Sequence, residues 1–184
     1  DFIPEYDKVY CVSEPVRKQV IARFPELADR TEVLLNFIDI KQVQRRSEEP
    51  LSDPQYTGEL KFLTVGRASE EKGYDIAVQI TAELKKRGLC FKWFIIGDGR
   101  DLNKLRTMAK EYQVEQEIIF LGMRENPAPY VKSCDLYLQP SRHEGYPITI
   151  VEARSLQKVI IASDIPSMRE QIRMGKTDIS VRWM

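Results

Sequence analysis

The chain of 184 residues has one histidine and three cysteines. Cys11, Cys90 and Cys134 stand far apart, no Cys-x-x-Cys pair occurs, and the sole imidazole is His143. A His/Cys metal site needs such groups clustered at short spacing, and a disulfide framework needs them paired, so the sequence argues against both. Three free thiols fit a reducing cytoplasm. An excess of one charge is also missing, because 28 Lys and Arg balance 28 Asp and Glu. That argues against a nucleic-acid-binding domain, which shows a basic excess on one face, while leaving room for a local basic pocket. No apolar run approaches the roughly 20 residues of a membrane-spanning helix. The opening residues, Asp1-Phe2-Ile3-Pro4-Glu5, hold neither a start Met nor a basic-then-apolar signal segment, so the chain reads as cut from a longer protein.

What is present is an ordinary globular balance, 42% hydrophobic and 30% charged, with length for one good core. From residue 60 onward short β-rich runs alternate with amphipathic stretches. Strands are expected at Leu60–Val65, Phe91–Ile96, Ile118–Leu121, Leu136–Leu138 and Val159–Ala162. Helices are expected at Asp75–Lys86, Asp101–Tyr112, around Tyr130–Lys132, after Pro147 and at Ser167–Met174. This alternation implies βαβ units. The fold class is therefore α/β, a Rossmann-like doubly wound parallel sheet with helices on both faces. Residues 1–58 differ: a strand at Lys8–Val12, a helix over Glu14–Phe24 capped by Ser13, and a strand at Val33–Leu35 precede a polar stretch, Lys41–Gly58, that reads as a connecting loop. The first 40 or so residues are either the crossover end of a preceding domain or the first strand and edge of this one. Residues 59–184 are the core, and in such sheets ligands bind beyond the carboxyl ends of the strands.

Three loops after strands carry suggestive groups. In Gly66-Arg67-Ala68-Ser69-Glu70-Glu71-Lys72-Gly73, two cations framed by glycines suit a diphosphate, whose charge spreads over several oxygens. Spacing alone favours a solvated loop with Lys72 paired to a neighbouring glutamate. Gly97-Asp98-Gly99-Arg100 lacks the third glycine and the later acid of a dinucleotide fingerprint, so it is a turn, with close backbone approach to a ligand as a second role. The third loop is the most informative: Ser141-Arg142-His143-Glu144-Gly145-Tyr146-Pro147. It leads into a helix that Pro147 is placed to begin, with amides near Gly145 and Tyr146 at the positive end, suited to phosphate. Ile148-Thr149-Ile150-Val151 favours strand locally. It reads as helix because a crossover must precede Val159. Glu144 and Glu152 are expected to face one cleft. Two carboxylates eight residues apart are, on their own, more often a chance surface pair.

Taken together these segments resemble family 4 of the retaining glycosyltransferases, sugar transferases of the two-Rossmann-domain GT-B type. The matching text is Gly66-Arg67 through Glu71-Lys72-Gly73, Ile96-Gly97-Asp98-Gly99, Phe120-Leu121-Gly122, Asp135, Pro140-Ser141, Glu144-Gly145-Tyr146-Pro147 and Glu152-Ala153. Weaker matches are Tyr10-Cys11-Val12-Ser13 and Asn36-Phe37-Ile38-Asp39.

The resemblance implies that the whole chain, 1–184, is the donor-binding domain, and that an acceptor-binding N-terminal domain lies outside it. A UDP-, GDP- or ADP-sugar would be the donor. Arg67 and Lys72 would hold its diphosphate, and Glu144 would meet hydroxyls of the transferred sugar. Gly66, Gly99, Ser141, Gly145, Tyr146 and Pro147 would line the donor site. Glu152 would receive the ribose hydroxyls, and the base would lie by Gly122, Met123 and Arg124. The resemblance implies no metal and no other cofactor. It also implies retention of anomeric configuration, a fragment inactive alone, and work in the cytoplasm with peripheral association at the inner membrane face, in polysaccharide assembly. Two alternatives remain: a non-catalytic nucleotide-sugar-binding module, or an isomerase like the sugar-nucleotide 2-epimerases. Arg154-Ser155-Leu156-Gln157-Lys158 departs from the family's Gly-x-Pro turn, so that turn is built otherwise.

Overall fold

A computed structural model describes residues 5–172 and 178–181 of the chain. Its main sheet has six parallel strands: β3 (Lys61–Val65), β4 (Lys92–Ile96), β5 (Ile118–Gly122), β6 (Leu136–Gln139), β7 (Val159–Ser163) and β8 (Asp178–Val181). Their spatial order is β5-β4-β3-β6-β7-β8. The chain builds outward from β3 in one direction, then crosses to β6 and builds the other way. The order therefore reverses between β3 and β6, where diverging loops leave a crevice.

The strands are buried on both faces. Leu63, Phe94, Ile96, Tyr137 and Ile160 pack with Ile150 and Met168 on one side. Phe62, Trp93, Ile95 and Leu138 pack with Ala77, Leu105 and Val114 on the other. Neighbouring residues point to opposite faces, which is why these runs read as continuous apolar text rather than alternation. The covering helices are α3 (Tyr74–Lys86), α4 (Leu102–Glu111), α5 (Ala128–Ser133), α6 (Ile148–Ser155) and α7 (Pro166–Gln171). In α6 the β-branched run is helical, as the crossover required. Of the helix expected at Ser167–Met174, residues 173 and 174 lie outside the described residues. Strand β8 was not anticipated, so the sheet has six strands where five were expected.

The leading segment forms β1 (Val9–Cys11), α1 (Glu14–Arg23) and β2 (Thr31–Val33). Ser13 caps α1, its Oγ accepting from the Val16 N–H at 3.4 Å. β1 and β2 pair in parallel with each other and with no strand of the main sheet, so this segment is not the edge of the core sheet. The expected loop over 41–58 is corrected by α2 (Ile40–Ser47). Asp39 caps it, accepting from the Gln42 N–H at 2.9 Å. Ile40 and Val43 are its only apolar residues, and polar anchors hold it. Gln44 donates to the Ser155 carbonyl at 3.2 Å, Arg46 to the Glu125 carbonyl at 3.0 Å, and Asn126 to the Arg46 carbonyl at 2.9 Å.

A buried polar pair joins the central strands. Trp93 Nε1 donates to Thr64 Oγ1 at 2.9 Å, and Thr64 Oγ1 donates to the Leu138 carbonyl at 2.6 Å. Both side chains are fully buried, so losing the hydroxyl strands an indole N–H without water. Thr64→Val, nearly isosteric, is expected to cost about 1–3 kcal/mol of stability, read as a lower urea midpoint with an unchanged slope.

Candidate functional site

At the β3–β6 reversal the loop after β3 meets the loop after β6. The Glu71 carbonyl accepts the Arg142 N–H at 2.8 Å and the His143 N–H at 3.3 Å. Gly73 makes this approach possible: its φ is +66°, and a Cβ there would lie 2.1 Å from the Pro140 carbonyl oxygen. Behind them the loops after β3, β4 and β5 are knitted by main-chain bonds, Gly66 N–H to Ile96 O and Gly97 N–H to Gly122 O, both at 2.9 Å. Gly97, at φ +138°, leaves no room for a side chain, since a Cβ would sit 1.9 Å from the Gly66 carbonyl oxygen.

An open cleft of about 820 Å³ lies at this junction, with Gly66, Arg67, Lys72, Glu144, Gly145 and Pro147 in its wall. His143, Ile148 and Thr149 continue that wall, and Pro15, Val16 and Gln19 of α1 face it. Within it Lys72 Nζ donates to Glu144 Oε1 at 2.6 Å. The lysine therefore pairs across the two loops, and not with a neighbouring glutamate in its own loop. The Glu144 side chain is only 8% exposed. Ser141 Oγ and Gln139 Nε2 reach the same oxygen at 2.7 and 3.0 Å. The Arg67 guanidinium has no hydrogen-bonded partner among the described residues, although its charge is felt by Glu71. Arg142, by contrast, is held by Asp75 through two bonds of 2.7 and 2.6 Å, an arrangement that holds the Asp75 carboxyl below its ordinary range. Tyr74 is buried beside Gly66, and its hydroxyl has no partner among the described residues.

The remaining expected residues are placed elsewhere. Gly99 does not line the cleft: a Cβ there would meet the Ala68 carbonyl oxygen at 2.3 Å, so its small size serves loop packing. Ser141 is buried behind Glu144 and acts on it from within. Tyr146 precedes the helix, and its carbonyl accepts from Asn36 Nδ2 at 3.0 Å. Met123 is 71% exposed. The Arg124 guanidinium turns inward to Asp53, at 2.8 and 3.1 Å, and to the Tyr130 hydroxyl at 3.1 Å, so its charge is already spent. The expectation of two glutamates on one cleft is corrected. Glu152, one turn further along α6 than Ile148, faces a separate cavity of about 250 Å³ with Asp39, Gln42, Arg46, Asn126 and Leu156 in its wall. Gln139 went unnoticed in the sequence. A lone glutamine at a strand end carries no motif, and only burial beside Glu144 reveals it.

A parallel sheet with an open, charged cleft at the reversal of strand order defines a doubly wound α/β protein, and in that class ligands bind at the strand ends. The sequence model of the glycosyl transferases group 1 family matches residues 46–182, and the chain belongs to that family. An uncharacterized glycosyltransferase of Methanocaldococcus jannaschii is 28% identical over 181 residues, covering 96% of this chain and 44% of that protein. The N-acetylgalactosamine-N,N'-diacetylbacillosaminyl-diphospho-undecaprenol 4-alpha-N-acetylgalactosaminyltransferase of Campylobacter jejuni is 24% identical over 162 residues, covering 88% of this chain and 42% of that protein. The chain thus spans less than half the length of these curated relatives. Among solved structures, Anabaena HepE in complex with UDP and glucose superposes with a TM-score of 0.79 at 18% identity, covering 96% of this chain and 49% of that one. The likeness to that structure is one of fold. Among the described residues no helix is long and apolar enough to cross a membrane.

Burial raises the Glu152 carboxyl above its ordinary value, with Arg46 offsetting part of the effect. A folded-state pKa above the unfolded one means that ionised Glu152 costs stability at neutral pH. That cost vanishes as the pH falls through the raised value and below the ordinary 4.5. Glu152→Gln is therefore expected to melt at a higher temperature than wild type at pH 7.5, with the difference closing towards pH 4. Thermal melts across that range would show no such convergence if burial imposed no cost.

Proposed function

We propose that this chain is the donor-binding half of a retaining family 4 glycosyltransferase, which takes a hexose from a UDP-, GDP- or ADP-sugar and transfers it to an acceptor held largely by another domain. The observation that carries this reading is the convergence of Arg67, Lys72 and the buried Glu144 on one cleft at the reversal of strand order. Arg67, whose guanidinium has no hydrogen-bonded partner among the described residues, and Lys72 suit the donor diphosphate. Negative charge grows on the departing nucleoside diphosphate as the glycosidic bond breaks, so cations preset there favour the transition state over the ground state.

Glu144, oriented from behind by Ser141, suits the hydroxyls of the transferred sugar. The Gly145 backbone lies close by, packed so tightly that a Cβ would touch Val12 at 3.0 Å. Glu152, in its own cavity beside Asn126, suits the cis-diol of the ribose, with the base by Met123 and Arg124. Arg67 and Lys72 take the neutralising role that a divalent cation has in other transferases. The Campylobacter relative is named for a diphospho-undecaprenol-linked sugar. A lipid-linked acceptor would bring the full-length protein to the inner face of the membrane by peripheral association.

In the full-length protein, Lys72→Ala and Glu144→Ala are each expected to lower sugar transfer by at least ~100-fold, the scale of losing one transition-state stabiliser. Near-normal rates in both would sink these roles. Transfer is expected to continue undiminished in EDTA, and loss of activity restored by Mg²⁺ would reassign the charge-neutralising role to a metal. The anomeric proton signal of the product is expected to match the donor's configuration.

A further inference from the structure

We propose that Gln139 is a positioning residue for Glu144, holding its carboxylate ready for the donor sugar when Lys72 turns to the diphosphate. Gln139 ends β6 and is fully buried. A buried amide is unfavourable unless its polar groups are bonded, and here both of its ends are. Its Nε2 donates to Ser141 Oγ at 2.8 Å and to Glu144 Oε1 at 3.0 Å. Its Oε1 accepts from the Tyr137 hydroxyl at 3.4 Å. Tyr137 is itself fixed against β3, where its hydroxyl oxygen receives the Val65 N–H at 3.3 Å. A chain of buried polar groups thus runs from the middle of the sheet to the carboxylate.

Three donors converge on Glu144 Oε1, and no hydrogen bond within the described residues reaches Oε2. The donors differ in freedom. Lys72 has a long, partly exposed side chain, 23% accessible. Ser141 and Gln139 are locked in the interior. An arriving diphosphate competes for the lysine and leaves the buried pair in place. The carboxylate then keeps its orientation through Gln139 and Ser141, with Oε2 free to receive sugar hydroxyls. This inference rests on the proposed reading of Glu144 as the sugar contact.

The test compares ligands that differ only by the sugar, using the full-length protein. Calorimetric titration of wild type with UDP-glucose, UDP-N-acetylglucosamine, GDP-mannose and ADP-glucose selects the donor, and the matching nucleoside diphosphate serves as the reference. Gln139→Leu is expected to weaken nucleotide-sugar binding about 10-fold, as for loss of one hydrogen bond to a charged group. Binding of the nucleoside diphosphate should stay within about twofold. In a Glu144→Ala background the same substitution should add nothing, because the two residues act as one unit. Equal weakening towards both ligands, or full additivity with Glu144→Ala, overturns the positioning role. Should Gln139→Leu fail to fold, Gln139→Met and Ser141→Ala are expected to give the same split between ligands, and its absence in both overturns the role as well. Wild type binding none of the four sugars and none of their nucleoside diphosphates overturns the donor-site reading, and this inference with it.

Discussion

The site depends on one constraint, that two loops leaving neighbouring strands in opposite senses must be held against each other. A parallel sheet whose order reverses opens a gap between the loops at the reversal. Here the main chains are joined at the Glu71 carbonyl, which takes the amides of Arg142 and His143. Closure at Gly73 is what allows it, because no side chain fits between that residue and Pro140. With the loops pinned, Lys72 and Glu144 face each other at hydrogen-bonding distance although they lie on different crossovers.

Most of the architecture was legible because the strands are short apolar runs between turn residues and helices such as α3 and α4 carry an amphipathic period. Where the reading went astray, the stabilising interactions were non-local. α2 has few apolar residues of its own, and what holds it are hydrogen bonds to Ser155, Glu125 and Asn126. A helix of eight residues with only Ile40 and Val43 to mark its inner face is easily taken for a polar loop. In α6 the opposite occurred. The local β-branched preference pointed to strand, and topology overrode it. Chain order legislates where intrinsic propensity only leans.

Within the site, charged residues could be singled out by type and spacing, but their division of labour could not. Arg67, Arg124 and Arg142 look alike in sequence. In the fold Arg142 and Arg124 are committed to Asp75 and Asp53, and Arg67 alone of the three stays uncommitted among the described residues. Gly99 looks like a phosphate-binding glycine and serves packing. Gln139 looks like nothing and touches the carboxylate. A cation's availability depends on what faces it, and that depends on contacts between residues about 70 positions apart.

The cleft and the smaller cavity beside it carry polar groups whose burial is costly. Glu152 sits where burial disfavours its charge, the Tyr74 hydroxyl is enclosed without a partner among the described residues, and Gln139 is an amide inside a hydrophobic sheet. An apolar replacement at each would relieve desolvation, so folding alone supplies no reason for any of them. Their common feature is place: all three lie behind or beside the strand ends that form the cleft. Costly polar groups set beside the strand ends, while Leu63, Phe94 and Ile160 fill the core behind them with apolar surface, are the pattern expected where stability is traded for a preorganised binding site.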